Sequence, residues 1–545
     1  MVVSERAPAP ALAVERDDVA ALDPDDGWSR SRPWLTWADR AAVAGAVLVG
    51  LVLRFVAVSP LWLDEALSVN IARLPIGQIP EALRHDGHPP LYYLLLHLWM
   101  NVFGTGDGAV RALSGLFGVV LLPLTWVAAK RIAGRRGAWM ALAVVAVAPF
   151  ALRYSTETRM YSLVMVLALA GYLIADDALH RPTPLRLVAL ALAAAGLLYS
   201  HYWSMWFLAA AAVGLLWVAR RARWAGRADE RRAALRVVGA LVAGGVLFLP
   251  WVPSLLYQGA HTGTPWGARV LPSAMVTNTL ADLGGGPNAE AVLYGGICAV
   301  VVLVAVFARG LSRRYLEVDL FTQPDSRSLL YLFSATIAMA AAASYATQTT
   351  FVTRYTSVVF PFFMLLVALG LTRFKAPLVM RLVMVALLVL GAVGAGRDSF
   401  GQLRTQARAD AKAIVATAHP GDVIAYCPDQ LGPAGSRELA GKGPFDQVTY
   451  PLFKPPQRVD WADYTKVLAQ ASPARFAAQL QARARRHQIF VVWQTGYATH
   501  KRTCDRVIAA LSKLRPIHSQ LVTGAGDKYY EPSSVWRFRA AASAR

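Results

Sequence analysis

Apolar residues in this chain gather into runs of roughly twenty, separated by short polar segments. The runs fall near residues 41–58, 109–129, 137–152, 160–176, 184–199, 203–219, 235–250, 289–308, 328–346, 352–372 and 377–396. A helix needs about 20 apolar residues to cross a bilayer core, so the pattern predicts about eleven membrane-spanning helices. A twelfth apolar stretch, Pro90 to Phe103, is short and rich in aromatics, and reads as a juxtamembrane or re-entrant helix. From about Arg397 the pattern changes. Short apolar runs at Asp422–Tyr426 and Gln488–Trp493 read as buried strands, and Arg404–Thr417, Pro473–Arg486 and Arg502–Leu514 as helices. The expected architecture is an all-α polytopic membrane region over 41–396, preceded by a disordered tail over 1–40 and followed by an α/β domain over 397–545.

Composition agrees with the pattern. The chain is 56% hydrophobic and 16% charged, which excludes an ordinary soluble domain. The net charge of +21 would suggest nucleic-acid binding in a soluble protein. Here much of the excess sits in short loops: Lys130-Arg131 with Arg135-Arg136, His180-Arg181 with Arg186, Arg220 to Arg236, Arg309 to Arg314, and Arg373 with Lys375. Such loops set topology, so no nucleic-acid partner is expected. Placing them all in the cytoplasm is consistent from Lys130 onward, and counts back to an internal amino terminus if Pro90–Phe103 does not cross; the alternative is that it crosses and another run does not. Arg153–Tyr161, Tyr199–Trp203, the long segment Trp251–Pro287, Thr347–Thr356 and everything beyond Gly396 then lie outside. Residues 1–40 lack the basic–apolar–small order of a cleaved signal peptide. Three cysteines exclude a disulfide scaffold; whether Cys427 and Cys504 pair is open from sequence alone.

The polar groups beside the apolar runs carry the chemistry. Leu61-Trp62-Leu63-Asp64-Glu65 lies just past the first run, and His85-Asp86-Gly87-His88-Pro89-Pro90 follows. Carboxylates and imidazoles at a membrane surface are costly and point to a site, although Asp64 and Glu65 equally suit a helix amino terminus. Further external loops hold Glu157, Arg159 and Tyr161, then His201 and Tyr202, then Arg354 and Tyr355. Glu157 and Arg159 read either as a neutralising pair or as part of a site. Together the set suits a hydroxyl nucleophile, deprotonated by a carboxylate, and a departing phosphate held by Arg, His and Tyr donors. Neither GxGxxG after a strand nor GxxxxGK[ST] occurs, so a phosphorylated lipid donor fits better than a nucleotide.

These motifs, in order, resemble the membrane glycosyltransferases of the GT-C fold, in the branch of protein O-mannosyltransferases and aminoarabinose transferases. The resemblance covers roughly Ala41 to Gly396. It rests on Arg54, Trp62-Leu63-Asp64-Glu65, His88-Pro89-Pro90-Leu91-Tyr92-Tyr93, Gly104 with Arg111, Glu157-Thr158-Arg159-Met160-Tyr161 after Pro149, His201-Tyr202 and Arg354-Tyr355. It implies an inverting sugar transfer from a polyprenyl-phosphate donor on the external face of the cell membrane. By position Asp64 takes the role of catalytic base, with Glu65 beside it. Arg159, His201, Arg354, Tyr161, Tyr202 and Tyr355 are expected around the donor phosphate, and His88 and Glu157 near substrate. Mannose and arabinofuranose are the expected sugars, and a cell-envelope glycan or glycolipid the expected acceptor. No cofactor is expected, although Asp64, Glu65 and Asp86 offer oxygen ligands to a divalent cation.

Two other classes fit parts of this pattern: a flippase of lipid-linked precursors, and a polysaccharide ligase using a lipid pyrophosphate. Polar groups at the external ends of the runs, with no repeat between the halves, favour the transferase over a transporter. The carboxylate pair close to the first run favours it over the ligase.

Overall fold

The computed structural model describes residues 36–263, 271–347, 351–401 and 403–540. The expected amino-terminal tail lies, up to residue 35, outside the described residues.

Each predicted run coincides with helix. The first is Trp37–Leu53, entered through a capping box between Thr36 and Asp39. The second and third share Asp107–Val147, which breaks at Gly134, where φ is 68°. The third run does not continue unbroken to residue 152: Ala148 is extended and Pro149 opens a new short helix, Pro149–Ser155. The others are Tyr161–His180, Pro184–Ser200, Ser204–Trp224, Ala228–Phe248, Ala289–Phe307, Arg327–Thr347, Phe360–Arg373 and Pro377–Gly396. The run at 352–372 starts late, because Thr353–Val358 is a 3-10 turn and the α-helix begins beside Pro361. Among the described residues, seven helical stretches are long and apolar enough to cross a membrane. The 13-residue helix Leu91–Phe103 is about 20 Å long at 1.5 Å per residue, too short to cross a ~30 Å core upright.

Phe360–Arg373 is the central helix. Residues 360–371 are all buried, and it packs against Asp107–Val147 and Ala289–Phe307. Arg54 ties the first helix to the second pair. Fully buried, it donates to Gly50 O at 2.7 Å, Ala146 O at 2.8 Å, Val145 O at 3.1 Å and Gly118 O at 3.1 Å. Its charge thus meets the carbonyl end of a neighbouring helix.

The carboxy-terminal part is α/β. Strands β1 (Ala308–Gly310) and β2 (Leu316–Val318) form a separate small hairpin earlier in the chain. The main sheet uses β4 (Val423–Cys427), β5 (Asp446–Thr449), β6 (Ile489–Trp493), β7 (His518–Val522) and β9 (Ser534–Phe538), in the order β5-β4-β6-β9-β7. The β5-β4-β6 half is parallel and β9 and β7 are antiparallel. The three expected helices appear as Ala407–Val415, Pro473–Ala484 and Thr503–Leu514. Cys427 and Cys504 are joined as a disulfide, closing β4 onto the last of these helices. A parallel pair of β3 (Leu403–Thr405) and β8 (Tyr529–Glu531) sits where the chain leaves the last long helix.

This part is bound to the loops between helices. Arg404 N–H donates to Ser59 Oγ at 2.8 Å, and its guanidinium reaches Thr156 O at 2.7 Å. Arg437 pairs with Asp107 at 2.8 Å, and Trp461 N–H donates to His85 O at 3.0 Å. Trp62 and Leu63 pack with Val459 and Tyr464 in one apolar cluster.

Candidate active site

Asp64 and Glu65 are the second and third residues of the helix Leu63–Ala72. Successive helical positions point roughly 100° apart, so the two carboxylates face different surroundings. Asp64 lines a cavity of about 670 Å³ between the helix ends and the α/β part. Its Oδ2 lies 3.3 Å from Arg354 Nη1.

Glu65 does not share that cavity. The expectation that it stands beside Asp64 as a catalytic group gives way to a structural role, because it is fully buried and its oxygens are already engaged. Arg111 donates to both, at 2.7 and 2.6 Å, and Thr158 N–H donates to Oε1 at 3.0 Å. Arg404 stands 3.4 Å away. Burial alone pushes the Glu65 carboxyl up, but Arg111 and Arg404 outweigh it and hold the group down at about 2.

His88 lines the cavity and is held at both nitrogens. Arg159 Nη2 donates to its Nε2 at 2.8 Å; an arginine only donates, so Nδ1 carries the proton and donates to Asp86 Oδ2 at 2.9 Å. Tyr93 O–H donates to the same Asp86 oxygen at 2.9 Å. Burial pushes the Asp86 carboxyl up, but His88 and Arg159 prevail and keep it below its usual range. Gly87, with φ 87°, caps the preceding helix in the left-handed conformation that turns His88 toward Arg159. Arg159 also donates to Ser68 Oγ at 3.1 Å and Tyr93 Oη at 3.2 Å.

Arg159, His201, Arg354 and Tyr355 all line the cavity with Asp64. Trp203 N–H donates to His201 Nδ1 at 3.1 Å, which leaves the proton on Nε2. The imidazole packs on Tyr355, ring centres 4.7 Å apart. Tyr202 lines the cavity too, but its hydroxyl is committed: it donates to Gln258 and accepts from Trp251 Nε1 at 2.9 Å.

Two further expectations are corrected. Tyr161 is fully buried and does not itself line the cavity; it stands behind His201, ring centres 5.9 Å apart, and packs edge-on against Tyr154. Glu157 is buried behind the cavity, 3.3 Å from Arg153 rather than paired with Arg159. The possible oxygen ligands for a cation do not converge, since Glu65 belongs to Arg111 and Asp86 to His88 and Tyr93. Among the described residues no three His, Cys, Asp or Glu side chains form a metal cluster.

A further part of the lining comes from residues that no motif marked: Trp461, Gln494, Tyr497, Tyr530 and Glu531. Glu531 accepts from Leu63 N–H at 3.2 Å, and so satisfies one free amide at the start of the Asp64 helix. The only sequence trace of this wall is aromatic density around Trp493 and Tyr529-Tyr530, which fits a core equally well.

Residues 87–251 match the model of the dolichyl-phosphate-mannose-protein mannosyltransferase family. That span holds His88, Glu157, Arg159 and His201, but neither Asp64 nor Arg354. The crystal structure of ArnT from Cupriavidus metallidurans in the apo state is similar, with a TM-score of 0.57, 14% identity, and coverage of 92% of this chain and 98% of that one. The same protein bound to undecaprenyl phosphate gives 0.54, 13%, 91% and 97%. An oligosaccharyltransferase of Archaeoglobus fulgidus, crystallised with zinc and sulfate, gives 0.47 at 11% identity, over 84% of this chain and 68% of that one. No curated protein matches by sequence. The fold is therefore that of the GT-C membrane glycosyltransferases, here carrying an α/β part after its last long helix.

Proposed function

We propose that this chain is an inverting glycosyltransferase that moves a sugar from a polyprenyl-phosphate donor to a hydroxyl acceptor at the external face of the membrane. The observation that carries the reading is the placement of Asp64. One accessible carboxylate sits in a cavity with two guanidiniums and an imidazole N–H, 3.3 Å from the nearer guanidinium. The family match over 87–251 and the likeness to a protein crystallised with undecaprenyl phosphate support a lipid-phosphate donor.

The chemistry follows from the geometry. The acceptor hydroxyl gives its proton to Asp64 while its oxygen attacks the anomeric carbon. The bond from that carbon to the phosphate oxygen breaks, and its electron pair leaves with the polyprenyl phosphate. Attack from the face opposite the phosphate inverts the anomeric centre. Arg354, Arg159 and His201 hold the departing charge as it leaves with the phosphate. Arg354 also links the two halves of the reaction. An arriving phosphate competes with Asp64 for it, which loosens the carboxylate for its role as base. Mannose and arabinofuranose are the sugars we favour, and a cell-envelope glycan or glycolipid the acceptor.

The test is transfer by purified protein in nanodiscs, given radiolabelled polyprenyl-phosphate sugars and a membrane glycolipid extract. Transfer from one donor that vanishes in Asp64→Asn while donor binding persists is the expected result. Unchanged turnover in Asp64→Asn sinks the base assignment. Labelled lipid that crosses a sealed bilayer without any transfer favours the flippase instead.

A further inference from the structure

The two walls of the cavity differ in chemistry. Arg159, His201 and Arg354 come from the segments that join the membrane helices. The lining contributed by residues 461–531 holds no Arg, Lys or His. A phosphate belongs with the first wall and is not recognised by the second.

The second wall also holds polar groups that lack partners. Trp62, at the junction of the walls, is 5% exposed, yet its indole N–H has no hydrogen-bond acceptor. The Gln494 side-chain oxygen is likewise buried without a donor. A buried polar group left unpaired costs roughly 1–3 kcal/mol, so an unpaired donor and an unpaired acceptor on two side chains that line one cavity are groups a ligand would satisfy. Glu531 adds a carboxyl that already meets the Leu63 N–H and the Thr405 side chain. Burial pushes it up and Asp64 adds to this, against the pull of those two partners, and the result is about 8. Near neutral pH it therefore carries a proton to donate. Tyr530 stands edge-on to Trp62 with ring centres 5.6 Å apart, giving this side an aromatic surface.

Unpaired donor, unpaired acceptor, protonated carboxyl and aromatic faces without a cation suit a neutral ring bearing several hydroxyls. A hydroxyl both donates and accepts, so one sugar ring can meet Trp62, Gln494 and Glu531 together. We propose that this wall is the acceptor subsite and that the acceptor is a carbohydrate. In this arrangement Trp62 Nε1–H, Gln494 Oε1 and Glu531 hold hydroxyls of one ring while a further hydroxyl is turned to Asp64. The proposal rests on the transferase reading and adds to it the place where the acceptor is held.

The experiment uses the full chain in nanodiscs, with octyl mannoside and octyl arabinofuranoside as probes. Calorimetric titration without any donor measures glycoside binding to wild type, Gln494→Leu and Trp62→Phe. Phe keeps an aromatic ring beside Tyr530 and removes the indole N–H. Binding weakened about tenfold in each variant is expected. In the transfer assay, a matching rise in acceptor KM with donor KM changed less than threefold is expected. Equal glycoside binding by wild type and both variants overturns the subsite, as does an acceptor KM that the substitutions leave unmoved. Weakened binding in variants of a protein that cleaves no donor upholds the subsite and removes the transferase reading, so the two fail separately.

Discussion

Three acidic residues in or beside the cavity are set to different tasks by their neighbours. Asp64 faces the cavity with one guanidinium beside it; Glu65 is saturated by Arg111; Glu531 lines the cavity with an amide and a threonine hydroxyl but no cation paired to it. Stability should show the contrast as opposite slopes with pH. The folded pKa of Glu65, about 2, lies below its ordinary 4.5. Its stabilisation is then complete above pH ~4.5 and is lost as pH falls toward 2. Glu531 is raised from 4.5 to about 8. Between those values the folded state keeps a proton that the unfolded chain has released, so stability declines as pH rises through that window. Thermal unfolding in detergent across pH should therefore show a high-pH decline that Glu531→Gln flattens. In Glu65→Gln the acid-side loss should disappear, but the protein should be weaker throughout by about 3–5 kcal/mol, the cost of leaving the buried Arg111 without its partner. Asp64→Asn should leave the melting temperature near that of wild type while ending transfer, which separates it from its neighbour on two axes.

Short elements aim these residues. The left-handed Gly87 ends one helix and delivers His88 to Arg159, and a Cβ there would meet Thr262 Oγ1 at 3.1 Å. Gly87→Val should cost about 1–3 kcal/mol in backbone strain and swing His88 away from Arg159. The measurement is donor affinity, which should fall while Asp64-dependent chemistry remains detectable at saturating donor. The Cys427–Cys504 bridge closes a long stretch, with a sequence separation of 77. Reduction, or Cys504→Ser, should lower the stability of the α/β part by roughly 2–5 kcal/mol, read as earlier protease cleavage within 403–540.

At the scale of the molecule, the membrane helices were legible from apolar runs because length and hydropathy are local properties. So was the presence of an α/β part, through short buried strands such as β4 and β6. The break at Ala148-Pro149 and the late start at Phe360 were less visible, since an apolar run does not record where a proline changes the helix type. The site was half legible. Asp64, Arg159, His201 and Arg354 stood out as polar groups beside apolar runs. What separated Asp64 from Glu65 did not, because it depends on Arg111 and Arg404, distant in sequence and brought close only by folding. Glu157 and Tyr161 looked equally polar on paper and are turned into the protein interior. The Glu531 wall was illegible for the same reason, as it exists only once the α/β part docks on the loops. A chain ending at Gly396 should therefore insert but neither bind glycoside nor transfer sugar, a loss that a separately added 397–545 fragment restores if it docks.

That docking gives the site a place in time. Leu63 and the residue that caps it, Glu531, are separated by 468 positions. At a synthesis rate of ~5–20 residues per second, about 20 to 90 s pass between making the first and the second. Throughout that interval the helix carrying Asp64 is made but open on one side. The cavity closes only after the long helices and nearly all of β3 to β8 have been synthesised and the α/β part has folded against them. Activity is thus a late event in the life of the chain, and a lipid donor drifting past a half-made copy meets a basic wall without the rest of the lining.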